Sequence, residues 1–208
     1  MPAYKFIVFE GIDGSGKSTQ SRLLSQWFRD NNLPLHPTFE PTGNFIGSRI
    51  RDILTHKLKG HPATVANLFA ADRHDHLTNV AYGICKQLQE KHVICDRYLL
   101  SSYAYQTLDL PMDWVREINK YNEALLWPDL TFYLRTDEAT AMKRITANRG
   151  QTDLFETNEK LRQIAANYDQ AISYLSDRQK ENLHIIDAGD KPEQIAAKIS
   201  SIVSATIL

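Results

Sequence analysis

Short apolar runs alternate along the chain with longer stretches in which apolar residues recur every three or four positions. Five runs are predicted to be strands, at 6–9, 33–38, 92–96, 130–134 and 183–186, and those at 6–9 and 92–96 have the composition of strands buried on both faces. The periodic stretches between them are typical of amphipathic helices. Strands that alternate with helices predict a parallel sheet with right-handed crossovers. We therefore expect an α/β fold, a three-layer sandwich whose five-stranded parallel sheet is covered by helices on both faces.

The longest helical pattern runs from about Thr64 to Lys91, and threonine is a residue type that caps helices. Its apolar stripe comprises Val65, Leu68, Phe69, Leu77, Val80, Ile84 and Leu88. Phe69 and Arg73 are four residues apart and share a helix face, where an aromatic ring and a guanidinium group could meet one planar ligand. A core ring beside a surface charge is the commoner reason for such a pair.

Helical spacing also predicts helices at 46–54, at 114–126, from 137 onwards and at 161–175. Asp190 and Glu193 form a capping-box-like start to a last helix. Between two of these helices, residues 149–153 are polar and include a glycine. We expect a mobile loop there, within a short lid at about 144–157.

The stretch that joins the first predicted strand to the first predicted helix runs from Gly11 to Thr19. It fits G-x-x-x-x-G-K-[ST], in which glycines let backbone N–H groups point at a polyphosphate at the positive end of the helix. Lys17 then reaches the outer phosphates, and the Ser18 hydroxyl can ligate Mg²⁺. A glycine-rich turn that merely joins strand to helix is the alternative. We expect a nucleoside triphosphate to contact Gly11, Gly14, Ser15, Gly16, Lys17, Ser18 and Thr19.

The predicted strand at 92–96 ends in Asp96, and Arg97 follows it directly. An Asp at this place in a phosphate-loop protein can organise Mg²⁺ together with Ser18. An Asp that caps the following turn is the alternative. Ligands of open α/β sheets gather at the carboxyl ends of the strands, so Arg97 is a candidate phosphate clamp.

Composition narrows the class of partner. The 208 residues include 24 Lys plus Arg and 25 Asp plus Glu, which gives no bulk electrostatic reason to bind nucleic acid or an anionic membrane. No apolar run approaches 18 residues, and the first strand begins too early for a signal peptide. We expect one domain spanning 1–208, cytoplasmic, with small-molecule partners and no role for its two cysteines.

Taken together, the motifs resemble those of the thymidylate kinase family, among the P-loop nucleoside monophosphate kinases. The stretches that carry the resemblance are 9–19, Leu68 to Arg73, Asp96 to Gln106 and Pro128 to Thr131. The third of these is the most family-specific. The resemblance implies transfer of the ATP γ-phosphoryl group to deoxythymidine monophosphate with Mg²⁺. It also implies a homodimer, for which the long helix from Thr64 is a plausible interface.

The resemblance further implies a set of residues that bind the acceptor nucleotide. They are Asp13, Phe69, Arg73, Arg97, Ser102, Tyr105 and Gln106. In that scheme Phe69 stacks on thymine while Arg73, Ser102 and Gln106 contact its polar edge. Asp13 and Tyr105 face the deoxyribose, with Tyr105 crowding a ribose 2′-hydroxyl. Arg97 holds the acceptor phosphate.

Members of the family place a catalytic arginine either in the phosphate loop or in the lid. Gly14 occupies the loop position here, so the resemblance assigns the role to a lid-side arginine, Arg149 or Arg144. Leu154 stands where many lid-type members carry an arginine, and Phe39 stands where a common bacterial form has one. Residues available to assist Arg97 instead are Arg49, Arg51 and Arg73.

Two other hypotheses remain open from the sequence. One is a P-loop kinase that acts on a different deoxynucleotide or on a free nucleoside, although Arg97 beside Asp96 favours an acceptor that already carries phosphate. The other is a nucleotide-binding regulator without catalytic activity. Lys17, Ser18 and Asp96 argue against the second, since they are the parts that phosphoryl transfer requires.

Overall fold

The computed structural model describes residues 4–148 and 157–207. The strands of this part of the chain are β1 (Phe6–Glu10), β2 (Leu35–Phe39), β3 (His92–Asp96), β4 (Leu130–Arg135) and β5 (Leu183–Asp187). They form one sheet in the order β2-β3-β1-β4-β5, and every pairing is parallel. The predicted five-stranded parallel sheet is confirmed.

Helices connect and cover the strands. They are α1 (Lys17–Asp30), α2 (Phe45–Leu54), α3 (Pro62–Thr78), α4 (Ile84–Gln87), α5 (Leu99–Tyr105), α6 (Met112–Leu125), α7 (Glu138–Asn148), α8 (Asn158–Ser173), α9 (Asp177–Glu181) and α10 (Pro192–Ile207). A short 3-10 turn at Gln106–Leu108 continues α5.

The core has two parts, one on each face of the sheet. Side chains alternate along β1, so Phe6 and Val8 pack into one cluster with α5 and α8, while Ile7 and Phe9 pack into the other with α1 and α10. All four of these β1 side chains are buried. The two clusters make the sheet the middle layer, and the predicted three-layer architecture is confirmed.

The carboxyl ends of the two central strands lie side by side. Phe9 pairs with Asp96 across β1 and β3, and Phe39 pairs with Asp96 across β2 and β3. The phosphate loop therefore follows β1 at the edge of the sheet where Asp96 and Arg97 follow β3. Ligands of open α/β sheets bind at this edge.

The prediction of one helix from Thr64 to Lys91 is wrong. Helix α3 begins at Pro62, where the His61 side chain accepts from the N–H of Ala63 at 3.2 Å, and it ends at Thr78. The chain then turns before α4, and a Cβ atom on Gly83 would lie 2.5 Å from the carbonyl oxygen of Asn79. Leu77 and Ile84, on either side of this break, are buried in the same cluster and keep the helical spacing, whereas Val80 within the break is 85% exposed, so its place in the predicted stripe is wrong.

Two other helices differ from the sequence prediction, one in its existence and one in its start. Helix α5 was not predicted, because all seven of its residues are buried and it shows no polar face. Helix α10 begins at Pro192, and Asp190 pairs with Lys198 at 2.6 Å rather than capping the helix. A capping box does occur at α9, between Ser176 and Gln179.

Candidate active site

The phosphate loop depends on glycine at three positions. Gly11, Gly14 and Gly16 have φ values of 147°, 76° and 99°, a backbone region that other residues rarely adopt. A Cβ atom on Gly14 would also overlap the carbonyl oxygen of Ala141 in α7. No side chain fits at position 14 without moving α7, so an arginine cannot act from this point of the loop.

Lys17 is buried at the start of α1, and its Nζ donates to the carbonyl oxygen of Ile12 at 2.8 Å. Burial is the main cause that lowers the pKa of Lys17 to about 8, and the positive charge of Arg97 acts in the same direction. The Ser15 hydroxyl is buried and has no hydrogen-bond partner within the described residues. A polyphosphate in the loop would supply negative charge to the lysine and acceptors to both groups.

Ser18 and Asp96 meet across the gap between α1 and β3. The Ser18 hydroxyl donates to Asp96 Oδ2 at 2.6 Å, while Asp96 Oδ1 is buried without a partner in the described part of the chain. That part contains no group of three or more His, Cys, Asp or Glu side chains that could hold a metal ion alone. One carboxylate and one hydroxyl fit Mg²⁺, which in nucleotide sites takes its remaining ligands from phosphates and water.

The loop opens into a large cavity of about 1030 Å³, which we call the donor cavity because the phosphate-loop motif predicts a nucleoside triphosphate here. Its walls comprise residues 13–22 of the loop and α1, the end of β2, and residues from α7 and around the start of α10. Arg144 reaches it from α7, and its Nη2 donates to the carbonyl oxygen of Ala188 at 2.8 Å. Its Nη1 donates to the carbonyl oxygen of Gly14 at 3.5 Å. Arg149 lies outside the described residues.

Arg97 is fixed from several directions at the end of β3. Its Nη2 donates to Asp13 Oδ1 at 2.6 Å and to the hydroxyl of Tyr105 at 2.9 Å, and its Nη1 donates to the carbonyl oxygen of Gly11 at 3.1 Å. Burial alone would raise the pKa of Asp13, but the charges of Arg97 and Lys17 lower it to about 2. Asp13 is therefore a carboxylate at neutral pH, and it partly neutralises both cations.

A second, smaller cavity of about 240 Å³ lies on the other side of Arg97. Its walls include all seven residues that the resemblance assigns to the acceptor: Asp13, Phe69, Arg73, Arg97, Ser102, Tyr105 and Gln106. Four residues line both cavities, namely Asp13, Phe39, Glu40 and Arg97. The two cavities thus meet at the Asp13–Arg97 ion pair.

Arg73 is held inside the protein more completely than the sequence suggested. Its Nε donates to Glu40 Oε2 at 2.9 Å, and its Nη1 donates to Asn119 Oδ1 at 2.5 Å and to Ser102 Oγ at 2.9 Å. Its Nη2 donates to the carbonyl oxygen of Tyr98 at 3.0 Å and lies 2.8 Å from the same Glu40 oxygen. Burial disfavours its charge, but Glu40 more than offsets this and raises the pKa of Arg73. Every nitrogen of the guanidinium therefore already contacts a protein oxygen.

The side chain of Gln106 differs from that of Arg73, because its amide oxygen is buried at the acceptor cavity without a partner among the described residues. Phe69 is half-buried at the same cavity. Arg51 also lines it, and its Nη1 donates to the carbonyl oxygens of Pro41 and Thr42 at 2.9 and 2.6 Å. The acceptor cavity therefore offers an aromatic face, a free amide oxygen and several charged walls.

Sequence reasoning missed the buried carboxylates of the site. Glu40 follows β2 and contacts both Arg73 and His76, whose Nδ1 lies 3.1 Å from Glu40 Oε1. Glu10, the last residue of β1, is buried behind Arg97 and contacts Tyr168 of α8. The one signal that could have identified them is an acidic residue directly at or after an otherwise apolar strand, since buried charges need partners.

A family model described as thymidylate kinase matches residues 9–199. The chain is 40% identical over 164 residues to a probable thymidylate kinase of Methanocaldococcus jannaschii, covering 78% of this chain and 79% of that protein. It is 37% identical over 211 residues to a thymidylate kinase of Clavibacter michiganensis subsp. michiganensis, covering 97% and 95%. It is 42% identical over 154 residues to a putative thymidylate kinase of Treponema pallidum, covering 74% and 72%.

Proposed function

This chain belongs to the thymidylate kinase family, and on that premise we propose that it transfers the γ-phosphoryl group of ATP to deoxythymidine monophosphate where its two cavities meet. The observation that carries the proposal is the position of Arg97, which lines the donor cavity and the acceptor cavity together with Asp13. Phosphoryl transfer requires two phosphates in line, with positive charge between and around them. Arg97 supplies that charge at the junction.

On the donor side, we assign the triphosphate to the loop from Gly11 to Thr19. Lys17 leaves the carbonyl oxygen of Ile12 and binds the outer phosphates, whose negative charge favours its protonated form. Ser18 and Asp96 are the residues that would hold Mg²⁺, and the unpartnered Asp96 Oδ1 supports this assignment. Bound there, Mg²⁺ would neutralise charge on the phosphates.

On the acceptor side, Arg97 binds the acceptor phosphate, and Asp13 and Tyr105 face the sugar. Phe69 presents its ring to the base, and the free amide oxygen of Gln106 is available for a donor on the base edge. Ser102 accepts from Arg73, which leaves its own hydroxyl hydrogen for the ligand. Arg73 therefore supports the base pocket by orienting Ser102 and Glu40.

The catalytic arginine is assigned to the lid side, since a side chain at position 14 would meet α7. Arg149 and Arg144 are the two candidates, and Arg144 already reaches the loop carbonyl of Gly14. An arginine that acts in the transition state changes kcat far more than KM. Separate Arg149→Ala and Arg144→Ala variants, assayed for both constants, assign the role.

A coupled assay of ADP formation across an acceptor panel tests the proposed function. The panel contains deoxythymidine, deoxyuridine, deoxycytidine and deoxyguanosine monophosphates, together with thymidine. We expect the highest kcat/KM with deoxythymidine monophosphate and little turnover of thymidine, which has no phosphate for Arg97. An inert deoxythymidine monophosphate would overturn the proposal, and preference for thymidine would indicate a nucleoside kinase.

We also propose a homodimer and a cytoplasmic location. Large apolar side chains near α3 support the first: Tyr121 of α6 is 67% exposed and Val80, just after α3, is 85% exposed. Sedimentation equilibrium measures the mass directly. In the described residues no helix is both long and apolar enough to cross a bilayer. Cell fractionation tests the location.

A further inference from the structure

A buried carboxylate lies behind Arg97 and outside both cavities. Glu10 accepts from the backbone N–H groups of Tyr98 and Ser101 at 2.9 and 3.2 Å. Its other oxygen accepts from the Ser101 hydroxyl at 2.6 Å and from the Tyr168 hydroxyl at 3.0 Å. Burial raises the pKa of Glu10, although these hydrogen bonds oppose the shift. Glu10, the last residue of β1, therefore anchors the first turn of α5 through hydrogen bonds.

Tyr168 joins this cluster to the acceptor arginine. Its hydroxyl lies 2.9 Å from Ser101 Oγ and 3.2 Å from the carbonyl oxygen of Gly11, and it accepts from Arg97 Nη1 at 3.5 Å. Its ring is fully buried and stacks on Tyr133 of β4, with centroids 5.0 Å apart. Because the ring is packed in the core, the position of its hydroxyl next to Arg97 Nη1 is fixed.

Arg97 needs such support because its backbone is strained. Its φ is +74°, a left-handed value that is costly for a residue with a Cβ atom. Such residues persist where their surroundings determine them, often at functional sites. Here Gly11, Ser101 and Tyr168 hold Nη1 from behind, while Asp13 and Tyr105 hold Nη2.

We propose that Tyr168 and Glu10 are positioning residues for phosphoryl transfer, which aim the Arg97 guanidinium at the acceptor phosphate through Ser101 and the Gly11 carbonyl. Neither side chain lines the donor or the acceptor cavity, so their contribution passes through Arg97. The inference rests on the proposed function, because it takes Arg97 as the ligand of the acceptor phosphate.

The test uses Tyr168→Phe, which removes one hydroxyl and keeps the stacked ring. The matched control is Tyr103→Phe: Tyr103 is also buried, and its hydroxyl donates to Glu123 at 3.0 Å, away from Arg97. We expect Tyr168→Phe to lower kcat/KM for deoxythymidine monophosphate about tenfold, the scale of one lost hydrogen bond in a charged network. The KM for ATP stays unchanged, and both variants unfold at similar temperatures. Glu10→Gln should act in the same direction.

A double-mutant cycle separates positioning from a general structural effect. Deoxythymidine monophosphate is titrated by calorimetry into wild type, Tyr168→Phe, Arg97→Lys and the double variant. If Tyr168 acts through Arg97, its substitution weakens binding in the wild-type background and has almost no effect beside Arg97→Lys. Equal weakening in both backgrounds, or no weakening in either, overturns the inference. A wild type that neither binds nor phosphorylates the nucleotide overturns the proposed function instead.

Discussion

The acceptor and donor sides of this site differ in how far the protein itself satisfies their polar groups. On the acceptor side, each nitrogen of Arg73 contacts a protein oxygen and Arg97 makes five hydrogen bonds within the described residues, while Gln106 Oε1 is the exception, a buried atom without a partner there. On the donor side, Ser15 Oγ and Asp96 Oδ1 are buried without partners in the described residues, where Lys17 Nζ donates to one loop carbonyl, that of Ile12. The cavity there is also about four times larger.

The difference indicates two modes of recognition. The fold holds the side chains of the acceptor cavity in place before any ligand binds. In the proposed function, a base, a sugar and a phosphate would therefore bind with little loss of side-chain entropy. In the proposed function, the phosphates of ATP and Mg²⁺ would be the partners of the charges and N–H groups in the donor cavity. Substitutions on the acceptor side should therefore affect protein stability, whereas substitutions on the donor side should affect binding and catalysis of the triphosphate.

The largest expected effect is on the acceptor side. Arg73→Met leaves Glu40, whose side chain is 2% exposed, without its arginine partner. Loss of one partner of a buried ion pair lowers the free energy of unfolding by about 3–5 kcal/mol. Urea denaturation measures the change. The control is Arg116→Met, which loses a contact with the Tyr174 ring and should cost about 0.5–1 kcal/mol. A loss equal to the control's would mean that Arg73 is not a structural residue.

Next in size is Lys17→Met on the donor side. The substitution keeps the length of the side chain and removes the charge that stabilises the transferring group, so kcat should fall about 10²–10³-fold, or about 2.7–4 kcal/mol. Stability and the affinity for deoxythymidine monophosphate should hardly change. Steady-state kinetics and calorimetry measure both. Lys86→Met, at an exposed lysine of α4, serves as the control. An equal loss of acceptor affinity would contradict the separation of the two sides.

Asp96→Asn should change the requirement for Mg²⁺. Removing the carboxylate that bonds Ser18 should raise the Mg²⁺ concentration for half-maximal activity roughly 10–100-fold, the usual effect of a residue that orients a metal ligand. A magnesium titration at saturating substrates measures it. Asp113→Asn, at an exposed residue of α6, should leave the titration unchanged. An unaltered requirement in Asp96→Asn would remove Asp96 from the metal site.

The smallest effect is a pH dependence confined to the donor side. In the free protein the pKa of Lys17 is about 8, and bound triphosphate favours the charged lysine. ATP affinity should therefore be level below pH 8 and fall about tenfold per pH unit above it. Lys17→Arg keeps its charge and should bind ATP evenly across that range. Deoxythymidine monophosphate affinity should not follow this profile, and a parallel decline for both ligands would contradict the assignment to Lys17.

The strands and the phosphate loop could be predicted from the sequence because their signals are local. An apolar run, three glycines and the adjacent lysine lie within 14 positions, and Asp96 and Arg97 end another run. The helix from Thr64 was predicted too long because Leu77 and Ile84, on either side of the break, keep the helical spacing of buried residues. Periodicity reports which residues have an apolar side chain, and it does not distinguish Val80, exposed in the turn, from residues that face the core.

The supporting residues of the site could not be predicted because their contacts span the chain. Glu10 and Tyr168 are 158 positions apart, and Arg73 meets Glu40 across 33 and Asn119 across 46. The helical spacing of Phe69 and Arg73 placed both at the acceptor cavity, yet it gave no sign that the guanidinium is already paired. Only the fold shows which polar groups are left for a ligand.

The most direct test of the preformed acceptor site is calorimetric titration of the ligand-free protein with a chelator present and ATP absent. Deoxythymidine monophosphate and thymidine are compared, because they differ only in the phosphate assigned to Arg97. We expect saturable binding of the monophosphate, about 100-fold tighter than that of thymidine, which is the scale of a charge-assisted pair in a buried site. Equal affinities, or binding of the monophosphate only after ATP and Mg²⁺ are added, would contradict it.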